Sequence, residues 1–292
     1  MTPSLTLGFI GLGAMGGAVA RRLAAGPWRV LVHDLAEAAV ARAVAQGAVA
    51  AGDAGAAIAG ADIAFTCLPT PELAEAFWQD HAARLREGAI AVDLSTVDPA
   101  TSRRIATLVA AGGRARFAAC TLGKTPAMAE RGEIPVFFGA DDPSLLETLR
   151  PVLAQMASTV FDMGSPEGAT MFKLISNLVG MTNLVVLAEG LQLARATGIA
   201  DDTFTAALKT TGGWSVQADI RLGWMAAADF APRFAVDLAT KDVRLSVDTA
   251  ARRGVPTPVA AAALSVFSLA RAAGLGAQDA AAVAVPLGPR PA

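Results

Sequence analysis

A lysine and an amide set in an apolar helix, and a glycine turn with a carboxylate beyond it, are the residues of this sequence best placed to do chemistry. Lys173 and Asn177 lie four residues apart in the stretch Ser165 to Gly198, SPEGATMFKLISNLVGMTNLVVLAEGLQLARATG. A helix puts both on one face, with Gly180 beyond them. A lysine desolvated there has its charged form disfavoured, which lowers its pKa toward the range useful for proton transfer. The other reading is a lysine that snorkels from the first turns of a packed helix.

Gly11, Gly13 and Gly16 supply GxGxxG directly after the apolar run Leu5 to Ile10, and AVARRLAAG continues with amphipathic helical spacing. This is strand, glycine turn, helix. Gly11 allows the tight turn, Gly13 lets the backbone approach a pyrophosphate, and Gly16 permits close packing of helix on strand. Leu12, Ala14 and Met15 complete the loop, whose free amides at a helix N-terminus suit phosphates. A second apolar run, Arg29 to Val32, ends in His33 and Asp34 at about the distance expected of a ribose-binding carboxylate. Such a carboxylate accepts from the 2′ and 3′ hydroxyls and repels a 2′-phosphate, which favours NAD over NADP. His33 falls at the adenine end, away from any reacting atom. Taken singly, the glycines also read as a flexible turn, and Asp34 as a surface carboxylate at a strand end.

Other elements must position these groups. Ile63 to Leu68 reads as a buried strand that stops at Pro69, and Ala89 to Leu94 as another, followed by Ser95, Thr96 and a helix start at Asp98-Pro99. Asp53 and TPEL mark two further helix starts. Alternation of strand and helix predicts an α/β fold with a Rossmann-type doubly wound parallel sheet and its ligand along the carboxyl edge. Leu68, Pro69, Ser95 and Thr96 should line that edge, although turn and cap chemistry accounts equally for any one of them. Arg116 to Cys120, Ile134 to Gly139 and Thr159 to Asp162 read as the remaining strands, with a helix from Asp142-Pro143 and a loop at Thr121 to Thr125. Beyond Met163 only helical patterns follow: the long helix, then Thr203 to Lys209, Ser215 to Ala228, Val236 to Arg253 and Pro258 to Ala273. At ~1.5 Å per residue the Ser165 to Gly198 helix is long enough to pass between two lobes. The expected organisation is a nucleotide-binding domain over residues 1–163 and an all-helical domain over 164–292, joined by that helix. Low complexity is confined to the alanine bias and the PLGPRPA tail.

Composition narrows the chemistry. A formal net charge of −2 argues against nucleic acid or an anionic membrane as partner. Two cysteines, Cys67 and Cys120, stand far apart, so neither a disulfide framework nor a structural zinc site is expected, and a reducing cytoplasm fits. No leader pattern precedes the first strand. The apolar window Leu174 to Ala194 contains Asn177, Asn183 and Glu189 and reads as a buried soluble helix rather than a membrane span. With no tyrosine, a Tyr/Lys proton-transfer pair is ruled out, and two histidines leave little for a catalytic metal, so no metal is expected. A lysine is the leading acid/base candidate.

Taken together, FIGLGAMGGAVARRL, CLP, DLSTVDP, GEIPVFFGADD, KLISN and FAVDLATKDVRLS resemble, in that order, the β-hydroxyacid dehydrogenases, the family of 3-hydroxyisobutyrate dehydrogenase and tartronate semialdehyde reductase. The resemblance spans nearly the whole chain. It implies a Rossmann domain, a long interdomain helix, a helical C-terminal domain, homodimers or homotetramers, and NAD-linked hydride transfer between a small acidic 3-hydroxy compound and its aldehyde. It makes Lys173 the acid/base and Asn177 a substrate-orienting residue. Lys241 would reach cofactor and substrate, with Asp242 its structural neighbour, and Trp214 would close the apolar side of the pocket. A solvated charge cluster at Lys241 and a core role for Trp214 fit these residues as well. Where many members carry DAPVSGG, this chain has Ala119-Cys-Thr-Leu-Gly-Lys-Thr125, so the substrate loop becomes Gly123, Lys124 and Thr125. Lys124 adds a cation and resembles the Gly-Arg-Ser/Thr loop of sulfolactaldehyde reductases. The substrate is then a small anion with a strong or bulky acid group, such as 3-sulfolactaldehyde, or Lys124 faces solvent in an enzyme for an ordinary carboxylate semialdehyde. Two further functions compete with these: an imine reductase-like enzyme, whose relatives commonly lack the lysine, and a non-catalytic dinucleotide-binding scaffold.

Overall fold

The computed structural model describes residues 5–113 and 115–288; the last four residues of the PLGPRPA tail lie outside them. The chain forms two compact units, Met1–Lys173 and Leu174–Ala292.

In the first unit, strands β1 (Thr6–Ile10), β2 (Arg29–His33), β3 (Val49–Ala50), β4 (Ile63–Thr66), β5 (Ile90–Asp93), β6 (Arg116–Leu122), β7 (Ile134–Ala140) and β8 (Ala157–Asp162) make one sheet in the order β3-β2-β1-β4-β5-β6-β7-β8. The helices between them are α1 (Ala14–Ala24), α2 (Glu37–Val44), α3 (Ala54–Ala59), α4 (Pro71–His81), α5 (Pro99–Ala111), α6 (Pro126–Arg131) and α7 (Ser144–Met156). Strand order reverses about β1, so the crevice that takes ligands in such sheets lies beyond the carboxyl ends of β1 and β4. Buried residues are split between the two faces of the sheet. Leu7, Phe9 and Phe65 pack with Val19, Leu23 and the α7 leucines, and Ile10 and Ala91 pack with Ile58, Trp78 and Ile105. Burial on both faces explains why β1, β4 and β5 read as continuous apolar runs.

The sheet is not parallel throughout: β7 runs antiparallel to β6, and β8 follows β7 in parallel. Only residues 123–133 connect β6 to β7, and α6 within them is six residues long. A parallel crossover needs a dozen residues or more, so the chain returns as a hairpin-like connection instead. The expected loop at Thr121 to Thr125 therefore begins inside β6, which extends to Leu122. Helices α2 and α6 and the two-residue β3 add to the elements expected from the sequence.

Helix α8 (Pro166–Ala196) has 31 residues, about 46 Å at the ~1.5 Å rise of a helix. The Ser165 hydroxyl accepts from the Gly168 amide at 3.1 Å, and Gly198, at φ +81°, ends the helix in a left-handed turn. Its first turn is tied to the sheet by Arg103 of α5. That guanidinium donates to both oxygens of Asp141, beyond β7, and to Glu167 of α8 at 2.6 Å.

In the second unit α8 packs Met181, Leu184, Val185, Ala188 and Leu191 against α10 (Val216–Ala226), α11 (Val236–Arg252) and α12 (Pro258–Ala272), with α9 (Asp201–Leu208) alongside. Alanines fill much of this core, as at Ala239, Ala263, Ala270 and Ala280 to Ala284. A buried ion pair pins its end: Arg221 meets Asp279 at 3.1 Å, and Asp279 also accepts from the amides of Phe234 and Ala281. Burial pulls the Arg221 guanidinium below its ordinary range, and Asp279 opposes that shift.

Arg103 offers a test of the α8 anchor. Its hydrogen bond holds the Asp141 carboxyl below its usual range. A carboxyl with a depressed folded pKa contributes stability above its unfolded pKa and loses it as pH falls through the folded value. Because the pair is substantially exposed, Arg103→Met should cost only about 1 kcal/mol at pH 7. The difference from wild type should begin to shrink as pH falls below about 4 and go on shrinking on further acidification, as read by denaturant unfolding at pH 7 and through the acid range.

Candidate active site

The glycine loop is built by contact distances that tolerate no side chain at two positions and leave a space at the third. Gly11 adopts φ +90°, and a Cβ there would sit 2.4 Å from the Cys67 carbonyl oxygen. At Gly16 it would sit 2.1 Å from the Gly11 carbonyl oxygen, with the Cys67 side chain next to it. Around Gly13 nothing lies within 4 Å. Gly13 also caps α1 without a side-chain acceptor, so the first amides of α1, from Ala14 to Gly16, face that space with a helix dipole behind them. An anionic pyrophosphate fits this donor set.

Asp34 joins the loop to β2. Its Oδ2 accepts from the Leu12 amide at 2.5 Å and its Oδ1 from the Ala36 amide at 2.7 Å. Each oxygen keeps lone-pair capacity for a ribose hydroxyl. A cleft of about 300 Å³ lies beside it, lined by Leu12, Gly13, Ala14, Arg21, Asp34 and Arg42 among others. Arg21 is held by Glu130 of α6.

At the next strand ends, the Leu68 amide donates to the Ser95 hydroxyl at 2.9 Å, and Ser95 donates to Asp93 Oδ1 at 2.6 Å. The Thr66 hydroxyl donates to the same oxygen, and the Trp78 indole N–H donates in turn to Thr66. Asp93 is 1% exposed and holds this edge together, a role that sequence reasoning missed. The available signal was an acid ending an otherwise apolar buried strand. Cys120 lies beyond it in β6, where burial, reinforced by the Asp93 charge, pushes its thiol well above the ordinary range. Pro69 is exposed and Thr96 half-buried in the turns after β4 and β5.

Gly123 is buried at the end of β6, where a Cβ would meet the Pro135 ring at 2.6 Å. Lys124 follows at φ +63°, a left-handed conformation that costs a non-glycine residue about 1 kcal/mol or more. Its exposed side chain donates to the Glu133 carbonyl oxygen at 3.1 Å, while the Glu133 carboxylate pairs with Arg131. Thr125 is half-buried and precedes α6.

In the second unit the Asn177 amide nitrogen donates to Asp242 Oδ2 at 2.6 Å, and Lys241 meets Asp242 Oδ1 at 2.9 Å. Asp242, 2% exposed, thus joins two candidates that the sequence left separate. A carboxylate only accepts, so it turns the Asn177 NH₂ toward itself and the amide oxygen away. The Ser246 hydroxyl bridges the Leu174 and Asp242 carbonyls, fixing α11 to α8 at this level. Trp214, half-buried before α10, donates its indole N–H to Asp219 at 3.0 Å and lies under the Lys209 ammonium. Lys173 is half-buried on α8, one turn before Asn177. Among the described residues no group of three metal-ligating side chains occurs.

Two glycine variants separate cradle from scaffold. Gly13→Ala should weaken NADH binding by tenfold or more with thermal stability unchanged, because its methyl enters only the ligand's space. Gly16→Ala should lower stability as well, because its methyl meets backbone. Titration of NADH fluorescence beside a thermal melt reads both.

Comparison with known proteins agrees with this architecture. The family model for the NAD-binding domain of 6-phosphogluconate dehydrogenase matches residues 6–164, and that for the NAD-binding domain of NADP-dependent 3-hydroxyisobutyrate dehydrogenase matches residues 167–287. The chain is 33% identical to 2-(hydroxymethyl)glutarate dehydrogenase of Eubacterium barkeri, over 97% of this chain and 95% of that protein. It is 30% identical to 3-sulfolactaldehyde reductase of Escherichia coli, over 94% and 92%. The crystal structure of 3-hydroxyisobutyrate dehydrogenase from Salmonella typhimurium superposes with a TM-score of 0.90 at 27% identity, covering 97% of this chain and 99% of that one. With both units matched end to end, the chain belongs to the β-hydroxyacid dehydrogenase family and is an NAD-dependent oxidoreductase.

Proposed function

We propose that this enzyme interconverts a small 3-hydroxy compound bearing a strong or bulky anionic group with the corresponding aldehyde, 3-sulfolactaldehyde being the leading candidate. The observation that carries the reading is Lys124: a cation kept in a strained left-handed position of the substrate loop, its ammonium hydrogen-bonded to the Glu133 carbonyl oxygen. Two relatives at 30% identity or more are named for substrates with such a group, a sulfonate in one and a dicarboxylate in the other. A carboxylate is therefore the competing occupant. Asp34 favours NAD over NADP. The enzyme works in the cytoplasm as a homodimer or homotetramer, with its nucleotide-binding domain ending near Met163.

Bound NAD supplies the hydride acceptor. Lys173 Nζ takes the hydroxyl proton as the alcohol is oxidised and returns it to the forming alkoxide in reduction, a transfer that requires the amine to be available in its neutral form. Asn177, with its amide oxygen turned away from Asp242, presents an acceptor to the substrate hydroxyl and orients it. Gly123, Lys124 and Thr125 hold the anionic group near the cofactor, while Ser95, whose hydroxyl and amide protons both go to Asp93, borders the substrate by fixing the Leu68 turn; Lys241 reaches cofactor and substrate, and Trp214 excludes water on the apolar side. Leu68, Pro69 and Thr96 border the cofactor.

Lys173→Ala should lose about 10²–10⁴ of turnover with NADH affinity intact; unchanged NADH consumption would sink the acid/base role. In a panel of aldehydes ending in sulfonate, phosphate, carboxylate or no anion, Lys124→Ala should raise KM about tenfold or more for the sulfonate and phosphate members and least for the uncharged one. An unchanged anion preference would leave an ordinary carboxylate semialdehyde as substrate.

Asp242→Asn tests the orienting carboxylate separately. The new amide can donate as well as accept, so Asn177 is no longer held one way round. The expected result is a fall of about tenfold in kcat/KM for the substrate, measured at saturating NADH and well below the melting temperature of the variant.

A further inference from the structure

The cleft beside Asp34 carries more positive charge than a bare ribose calls for. Two guanidiniums line it, Arg21 from the last turn of α1 and Arg42 from the last turn of α2, against the single carboxylate of Asp34. Asp34 gives both oxygens to backbone amides, Oδ2 to Leu12 and Oδ1 to Ala36, so part of its charge is met before any ligand arrives. Arg42 is exposed and, among the described residues, joins no ion pair. Arg21 lies back along its own helix: a Cβ on Gly17 would meet its Nη1 at 3.0 Å and the Leu12 carbonyl oxygen at 2.8 Å, which sets the guanidinium toward the glycine loop, the direction helical side chains favour. Its Nη2 is bonded to Glu130, in the last turn of α6, which is not itself a lining residue of the cleft.

A carboxylate that accepts from the 2′ and 3′ hydroxyls of the adenosine ribose puts any 2′ substituent at this cleft. With Asp34 as the only acid, two arginines would leave a net positive charge there, suited to a phosphate monoester. With Glu130 counted, two carboxylates balance two guanidiniums and the excess is gone. We propose that Glu130 sets cofactor specificity through Arg21: by holding the guanidinium on its own carboxylate, it keeps the cleft from accepting the 2′-phosphate of NADP(H).

Discrimination is then shared. Asp34 repels the phosphate directly, and Glu130, a positioning residue, occupies the cation that would otherwise bind it. The proposal rests on the NAD preference assigned to Asp34 and is independent of the substrate, since Arg21, Arg42 and Glu130 belong to none of the groups placed around the reacting carbon. The competing account is a surface ion pair that only ties α6 to α1. Such a pair contributes little to stability and acts on both cofactors alike.

The test is the dissociation constant of each reduced cofactor for the full-length protein, read from nicotinamide fluorescence, with adenosine 2′,5′-bisphosphate and 5′-AMP compared by calorimetry as probes that lack the reacting ring. The wild type should bind NADH more tightly than NADPH. Glu130 is half-exposed, so Glu130→Gln leaves the core untouched. That variant should tighten NADPH and the bisphosphate about fivefold or more, while NADH and 5′-AMP change by less than about twofold, and the gain should shrink as salt is raised. Adding Arg21→Gln should abolish the gain, and adding Arg42→Gln instead should reduce it. Equal losses for both cofactors in Glu130→Gln would mark a structural contact and overturn the proposal, as would a gain in NADPH affinity that survives Arg21→Gln. A wild type that prefers NADPH overturns the Asp34 reading together with the proposal. A wild type that prefers NADH, with the ratio unmoved in Glu130→Gln, overturns the role of Glu130 alone.

Discussion

An unbroken ladder of backbone hydrogen bonds from Pro166 to Ala196 is the constraint on which the rest of this molecule depends. One end of α8 is anchored in the first unit by the Ser165 cap and the Arg103–Glu167 contact, and the remainder is the central helix of the second unit's core. Lys173 and Asn177 stand one turn apart on this rod, so their spacing follows from helix geometry alone. A loop would leave that spacing to chance; a helix with no interior proline does not.

Three aspartates do a second kind of work, as fixed acceptors. Asp34 takes the Leu12 and Ala36 amides, Asp93 takes the Thr66 and Ser95 hydroxyls, and Asp242 takes the Asn177 amide and pairs with Lys241. Each sits beside a residue proposed to touch cofactor or substrate and determines which atom that residue presents. An ionised carboxylate cannot donate, so its partners have no choice of orientation. Hydrogen-bond networks of this kind rigidify what they join.

Much of this was legible in the chain itself. The strand-glycine-helix start, Asp34, the caps at Asp53, Thr70, Asp98 and Ser165, and the helical second half all rest on short-range rules, which one sequence displays. The reversal at β7 was not, because it depends on how far residues 123–133 reach, a length effect masked by a strand pattern that looks the same in either direction. The roles of Asp93 and Asp242 were hidden for a different reason. Their partners at Thr66 and Asn177 are 27 and 65 residues away in the chain, and only the fold supplies those neighbours. In the substrate loop the sequence marked Lys124 by its charge but said nothing of its backbone.

That backbone bears on engineering. At φ +63° glycine would rest without strain, so Lys124→Gly would relieve about 1 kcal/mol of local strain while removing the loop's cation. A ranking of substitutions by folding free energy alone would therefore favour erasing Lys124, and under the function proposed above that choice would take away the partner of the substrate's anion.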